Sequence, residues 1–151
     1  ADMAVSANPD ETLVTYSLGS CLGIVVYDPT IRVGGMIHCM LPISKVDEEK
    51  AQSRPCMFVD TGMSVFLTKL FSLGVQKANA IVKVAGGSQI LDKQNLFRIG
   101  ERNHTMLRKI LWKNGMMIKA EDVGGDVSRT VRLEIATGRF LVRVAGAERE
   151  L

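Results

Sequence analysis

The sequence has no run of like charges, no Cys-x-x-Cys pair, no internal repeat and no apolar stretch of membrane-spanning length. Each absence removes a class. A formal charge of +3 from 19 basic and 16 acidic residues is too mild for a polybasic nucleic-acid binder, although it suits docking on a somewhat acidic protein surface. Three cysteines, Cys21, Cys39 and Cys56, cannot all pair with one another, which speaks against a disulfide scaffold and for a reducing compartment. No metal is expected, because no spacing among Cys21, His38, Cys39 and Cys56 resembles a structural zinc site. Phosphate loops fare no better: Gly86-Gly87-Ser88 has no following lysine, and Gly124-Gly125 begins no Gly-x-Gly-x-x-Gly. Without a charged-then-apolar leader or a spanning segment, the expected location is the cytoplasm, with no membrane insertion.

What is present reads as one domain over residues 1–151, with an apolar fraction of 46% and enough length to bury a core unaided. Residues 1–10 read as a loose lead-in. Alternation predicts a strand over 12–17, and β-rich runs predict strands over 24–27 and 36–41, together resembling an antiparallel meander. Residues 43–55 are polar and read as loop. Val59, Met63, Phe66, Leu67, Leu70 and Phe71 recur at helical spacing, with Gly74 as a stop. A strand over 80–85 follows, then a second helix over about 100–114 with Met106, Leu107, Ile110 and Leu111 facing the core. Strands over 117–120, 131–135 and 140–144 complete the chain, the last two joined by a turn at Ala136-Thr137-Gly138-Arg139. Strands outnumber helices without strict βαβ alternation, which favours an α+β fold over a doubly wound sheet.

The chemistry concentrates near the start, in Gly19-Ser20-Cys21-Leu22-Gly23, with Thr15 before it and Gly34-Gly35-Met36-Ile37-His38 after it. A thiol attacks as thiolate, an imidazole can take its proton, and a third polar group can fix the ring. A free cysteine taken alone is most often a small buried hydrophobe. Glycines on both sides of Cys21 change that balance, because a bend there exposes sulfur and leaves backbone N–H groups around Gly19 and Ser20 free to meet an oxyanion. His38 taken alone reads as a core histidine. Strand alternation puts it on the face of Met36 and Met40 and puts Cys39 on the other, which assigns Cys39 to packing. Thr15 is a β-favouring residue whose oxygen could hold the imidazole N–H. In an extended strand it shares a face with Ser17, Gly19 and Cys21. Trp112 projects away from the apolar stripe of the second helix, either beneath a further packing layer or as a partner contact.

These segments resemble the CheD family of chemoreceptor glutamine deamidases. The resemblance is carried by Thr15-Tyr16-Ser17-Leu18-Gly19-Ser20-Cys21-Leu22-Gly23 and Gly34-Gly35-Met36-Ile37-His38-Cys39-Met40-Leu41-Pro42. It continues through Lys83-Val84-Ala85-Gly86-Gly87, Ile99-Gly100-Glu101-Arg102-Asn103, Glu121-Asp122-Val123-Gly124-Gly125 and Arg129-Thr130-Val131. It implies a cysteine hydrolase acting on glutamine side chains of chemoreceptor cytoplasmic helices, with Cys21, His38 and Thr15 as the triad and no cofactor. It implies a layered α/β sandwich with mostly antiparallel or mixed sheets and two main helices, similar to the catalytic domain of cytotoxic necrotizing factors. A CheC-type phosphatase is the implied inhibitory partner. Two other classes compete with this reading: a non-catalytic module that binds such a phosphatase, and a redox-sensing thiol protein.

Overall fold

A computed structural model describes residues 1–92, 94 and 96–151. Among the described residues, nine strands form two sheets. The first holds β1 (Asp2–Ser6), β3 (Leu22–Asp28), β4 (Val33–Cys39), β5 (Ile81–Gly86) and β6 (Ile118–Val123) in the order β1-β4-β3-β5-β6. It is antiparallel except where β5 and β6 run parallel. The second is wholly antiparallel: β2 (Thr12–Leu18), β7 (Arg129–Glu134), β8 (Phe140–Val144) and β9 (Ala147–Glu150), in that order. A short helix α1 (Glu48–Ser53) precedes the two main helices, α2 (Val59–Ser72) and α3 (Ile99–Lys113).

The layering follows from the side-chain period of two in a strand. Along β3, Leu22, Ile24 and Val26 join a core with Met63, Phe66 and Leu70 of α2 and Leu107 and Leu111 of α3. Val25 and Tyr27 point the other way, into a second core with Leu13 and Leu18 of β2, Val131 and Leu133 of β7 and Phe140 of β8. The five-stranded sheet is therefore the middle layer, between helices and the four-stranded sheet. Every position of β3 is buried, and each large apolar side chain fully buried in this way contributes about 1.5–3 kcal/mol. This is the α+β sandwich expected from the sequence.

Both main helices end in the same device. Gly74 and Gly115 have positive φ, and the residues after them, Val75 and Met116, donate back to the carbonyls of Leu70 and Leu111. This is the Schellman closure that glycine permits. Trp112 is 79% exposed, so no packing layer covers it.

Several expectations need correction. The supposed lead-in contains β1, an edge strand pairing with β4 from Asp2 opposite His38 to Ser6 opposite Gly34. The supposed loop over 43–55 holds a 3-10 turn, Ser44–Val46, and α1, whose first turn is capped by the Asp47 side chain accepting from the Lys50 N–H. The meander is only half real: β3 and β4 form a hairpin, whereas β2 pairs with β7 in the other sheet. The shared face from Thr15 to Cys21 also fails. A bulge between Thr15 and Leu18, with Ser17 at φ 55°, turns Ser17 outward and Leu18 inward. Such an extra residue reverses the alternation.

Candidate active site

The turn from β2 to β3 crosses from one sheet to the other and carries Cys21 at its end. Its three successive carbonyls are each anchored. Gly19 O accepts from the Ser88 N–H at 2.8 Å, Ser20 O from the Asn103 side-chain amide at 3.0 Å, and Cys21 O from the Gly87 N–H at 2.9 Å. The anchors need glycine. A methyl group on Gly86, whose φ is +113°, would overlap the Cys21 carbonyl oxygen, and one on Gly100 would overlap that of Gly87. The segment 86–88 is itself braced by Arg129, only 5% exposed. Its guanidinium donates to Ser88 Oγ at 2.7 Å and Gly124 O at 2.9 Å, and it pairs with Asp122 at 3.1 Å. A buried cation with each donor edge occupied in this way is held as a strut.

His38 projects from β4 toward the opposing sheet, on the side of Met36, while the Cys39 sulfur packs on the helix side against Gly62. Thr15 reaches it from β2: Thr15 Oγ1 and His38 Nδ1 are 2.8 Å apart. If Nδ1–H donates to the threonine oxygen, the lone pair is left on Nε2. Half-burial holds the imidazole below its ordinary value of 6.5, and burial pushes the Cys21 thiol up. Both shifts have the same leading cause, the cost of desolvating a charge, and both favour a neutral thiol and a neutral imidazole at rest. A cleft of about 320 Å³ between the sheets is lined by Thr15, Met36 and His38.

Thr15 and His38 are thus in direct contact. Among the described residues no hydrogen bond joins the Cys21 sulfur to the ring. The ladder pairs Gly23 with His38 and ends with Leu22 opposite Cys39, so Cys21 is the next residue beyond it, two positions from Gly23. Gly23 puts no side chain between Cys21 and His38. Cys21 packs partly against the inter-sheet core, the same side on which His38 meets Thr15. Gly19 and Ser20 form the turn itself. Cys39 is fully buried and its thiol is pushed far up by burial, which leaves it inert; Cys56 is half-buried on the helix side.

The sequence reading missed Asn103, Ser88 and Arg129 as supports of this turn. Asn103 had a visible signal. It lies four residues before Leu107 on the apolar stripe of α3, where a polar side chain must find buried partners. A larger groove of about 750 Å³ lies between α3 and β6, beside Trp112 and Met117, and none of the site residues lines it.

Comparison with known proteins gives a consistent result. A family model described as CheD chemotactic sensory transduction matches residues 40–144. That span begins after His38, so the likeness of residues 1–39 rests on the relatives that follow. The probable chemoreceptor glutamine deamidase CheD 1 of Syntrophus aciditrophicus is 51% identical over 97% of this chain and 91% of its own. That of Solibacter usitatus is 44% identical over 100% and 89%, and that of Pyrococcus horikoshii 37% identical over 85% and 80%.

Proposed function

This chain belongs to the CheD family and is a chemoreceptor glutamine deamidase; we propose that Cys21, His38 and Thr15 carry the reaction through a thioester. The observation that supports this assignment is the 2.8 Å contact between Thr15 Oγ1 and His38 Nδ1, made on the side of the sheet to which Cys21 also turns. Thr15 holds the ring and its tautomer. His38 Nε2 takes the thiol proton, and the sulfur attacks the side-chain carboxamide carbon of a receptor glutamine. Backbone N–H groups of the turn at Gly19, Ser20 and Cys21 meet the developing oxyanion. His38 returns the proton to the leaving nitrogen and ammonia departs. Water, deprotonated by the same imidazole, then cleaves the thioester, regenerating the thiol and leaving glutamate.

The whole chain acts as one deamidase domain in the cytoplasm, on the cytoplasmic helices of chemoreceptors, with a CheC-type phosphatase as its partner. No helix among the described residues is long and apolar enough to cross a membrane. The function is tested by incubating the protein with receptor cytoplasmic fragments and mapping them by mass spectrometry. Hydrolysis adds about one mass unit at each glutamine attacked, as NH₂ is replaced by OH. Fragments unchanged in mass, with no ammonia released, would contradict it.

A further inference from the structure

Asn103 is fully buried, yet it stands on an otherwise apolar stripe of α3. Its Nδ2 donates to two carbonyls at once, Ser20 O and Met40 O, both at 3.0 Å. Its Oδ1 is buried with no hydrogen-bond partner. A buried acceptor left alone is destabilising and calls for an explanation in a native fold. The orientation of the amide supplies one: both donor hydrogens are committed to the two segments that carry Cys21 and His38, and the oxygen is left unpaired as a result.

The two contacts differ in what they control. Met40 lies just past β4, and the β3–β4 ladder, with Leu22 opposite Cys39 and Gly23 opposite His38, already aligns those strands without help. The Ser20–Cys21 peptide lies outside every ladder. A peptide group is planar and trans, so its C=O and N–H point in opposite directions. Holding the Ser20 carbonyl against α3 therefore aims the Cys21 N–H away from α3. Among the described residues, the N–H groups of Ser20 and Cys21 donate to no backbone or side-chain acceptor of another residue. The Cys21 N–H belongs to the same residue as the attacking sulfur, so it lies beside the carbon that this sulfur attacks.

We infer that Asn103 is the positioning residue of the oxyanion hole, orienting the Cys21 N–H through the Ser20 carbonyl. This rests on the cysteine mechanism proposed above and adds to it the residue that sets the donor. Asn103 does not touch substrate. Its loss costs stabilisation of the oxyanion and leaves the nucleophile itself unaltered.

Two reactions of one sulfur separate these effects. Deamidation passes through an oxyanion, whereas alkylation by iodoacetamide is a direct displacement and forms none. Asn103→Leu should lower kcat for ammonia release about a hundredfold, the typical cost of losing one oxyanion donor, with KM unchanged. The rate and pH midpoint of Cys21 alkylation, followed by peptide mass, should not change. Asn103→Asp, closer in shape, carries the same readouts if the leucine variant does not fold. A folded variant with undiminished kcat overturns the inference, as does alkylation falling in step with kcat. Ammonia release that survives Cys21→Ala would instead overturn the cysteine mechanism, whatever the Asn103 variants show.

Discussion

Thr15 and His38 belong to different sheets, Thr15 to β2 of the four-stranded sheet and His38 to β4 of the five-stranded one, and they meet across the interlayer at 2.8 Å. The contact therefore reports the packing of two sheets, and it exists only when both are formed and stacked. A threonine adds no charge, so it fixes the ring geometrically and leaves the imidazole basicity to burial.

Thr15→Val keeps the β-branched shape and removes the oxygen. One net hydrogen bond is worth about 1 kcal/mol, so kcat for ammonia release should fall about fivefold to tenfold. Thr15→Ser, which keeps the hydroxyl, should stay close to the parent. Equal losses in both variants would assign the effect to packing.

The pH profile follows from the direction of the His38 shift. The base must be neutral, and an imidazole is neutral above its pKa. Burial lowers that pKa below 6.5, so the active range extends downward. The acidic limb of kcat/KM should have its midpoint below 6.5, measured by initial rates of ammonia release. A midpoint above 6.5 would mean that an interaction with a negative group outweighs desolvation.

A thioester can be intercepted. Hydroxylamine competes with water for an acyl–sulfur bond, so receptor fragments treated in its presence should carry glutamyl hydroxamate at the same positions that otherwise become glutamate. Glutamate alone, at every hydroxylamine concentration, would point to direct attack by water.

Arg129 is tested by stability. Arg129→Met removes a buried cation and leaves Ser88 Oγ, Gly124 O and Gly86 O without it, while Asp122 keeps its ion pair with Arg149 at 2.7 Å. Leaving those buried acceptors unsatisfied should cost on the order of 1–3 kcal/mol, measurable as a lower urea midpoint. Because the brace acts on the segment that anchors Gly19 and Cys21, kcat should fall as well. A midpoint equal to the parent's would show that the neighbouring loops hold without the strut.

The elements with strong periodicity were legible from residues alone: α2 and α3 by their apolar stripes and the glycines beyond them, and β3 and β5 by their apolar runs. The weak ones were not. All four residues of β9 are exposed, and α1 buries only Ala51, so neither carries a hydrophobic signature. β1 is a short edge strand defined by its partner β4. The sheet to which β2 belongs was also hidden, because pairing with β7 is a contact between residues more than a hundred positions apart. For the site, residue types pointed to Cys21, His38 and Thr15 as candidates, and the family likeness joined the three as a triad. The geometric route to Thr15, an unbroken strand from 15 to 21, was wrong at Ser17. Asn103 was readable as a polar residue on the apolar stripe of α3, but its partners are backbone carbonyls of Ser20 and Met40, which residue identity does not name.

The central claim is that the Cys21 sulfur is the nucleophile. Ammonia release from receptor fragments, measured side by side for the parent, Cys21→Ala and Cys39→Ala, tests it most directly. Release should be abolished in Cys21→Ala and retained in a folded Cys39→Ala. Undiminished release from Cys21→Ala would contradict it.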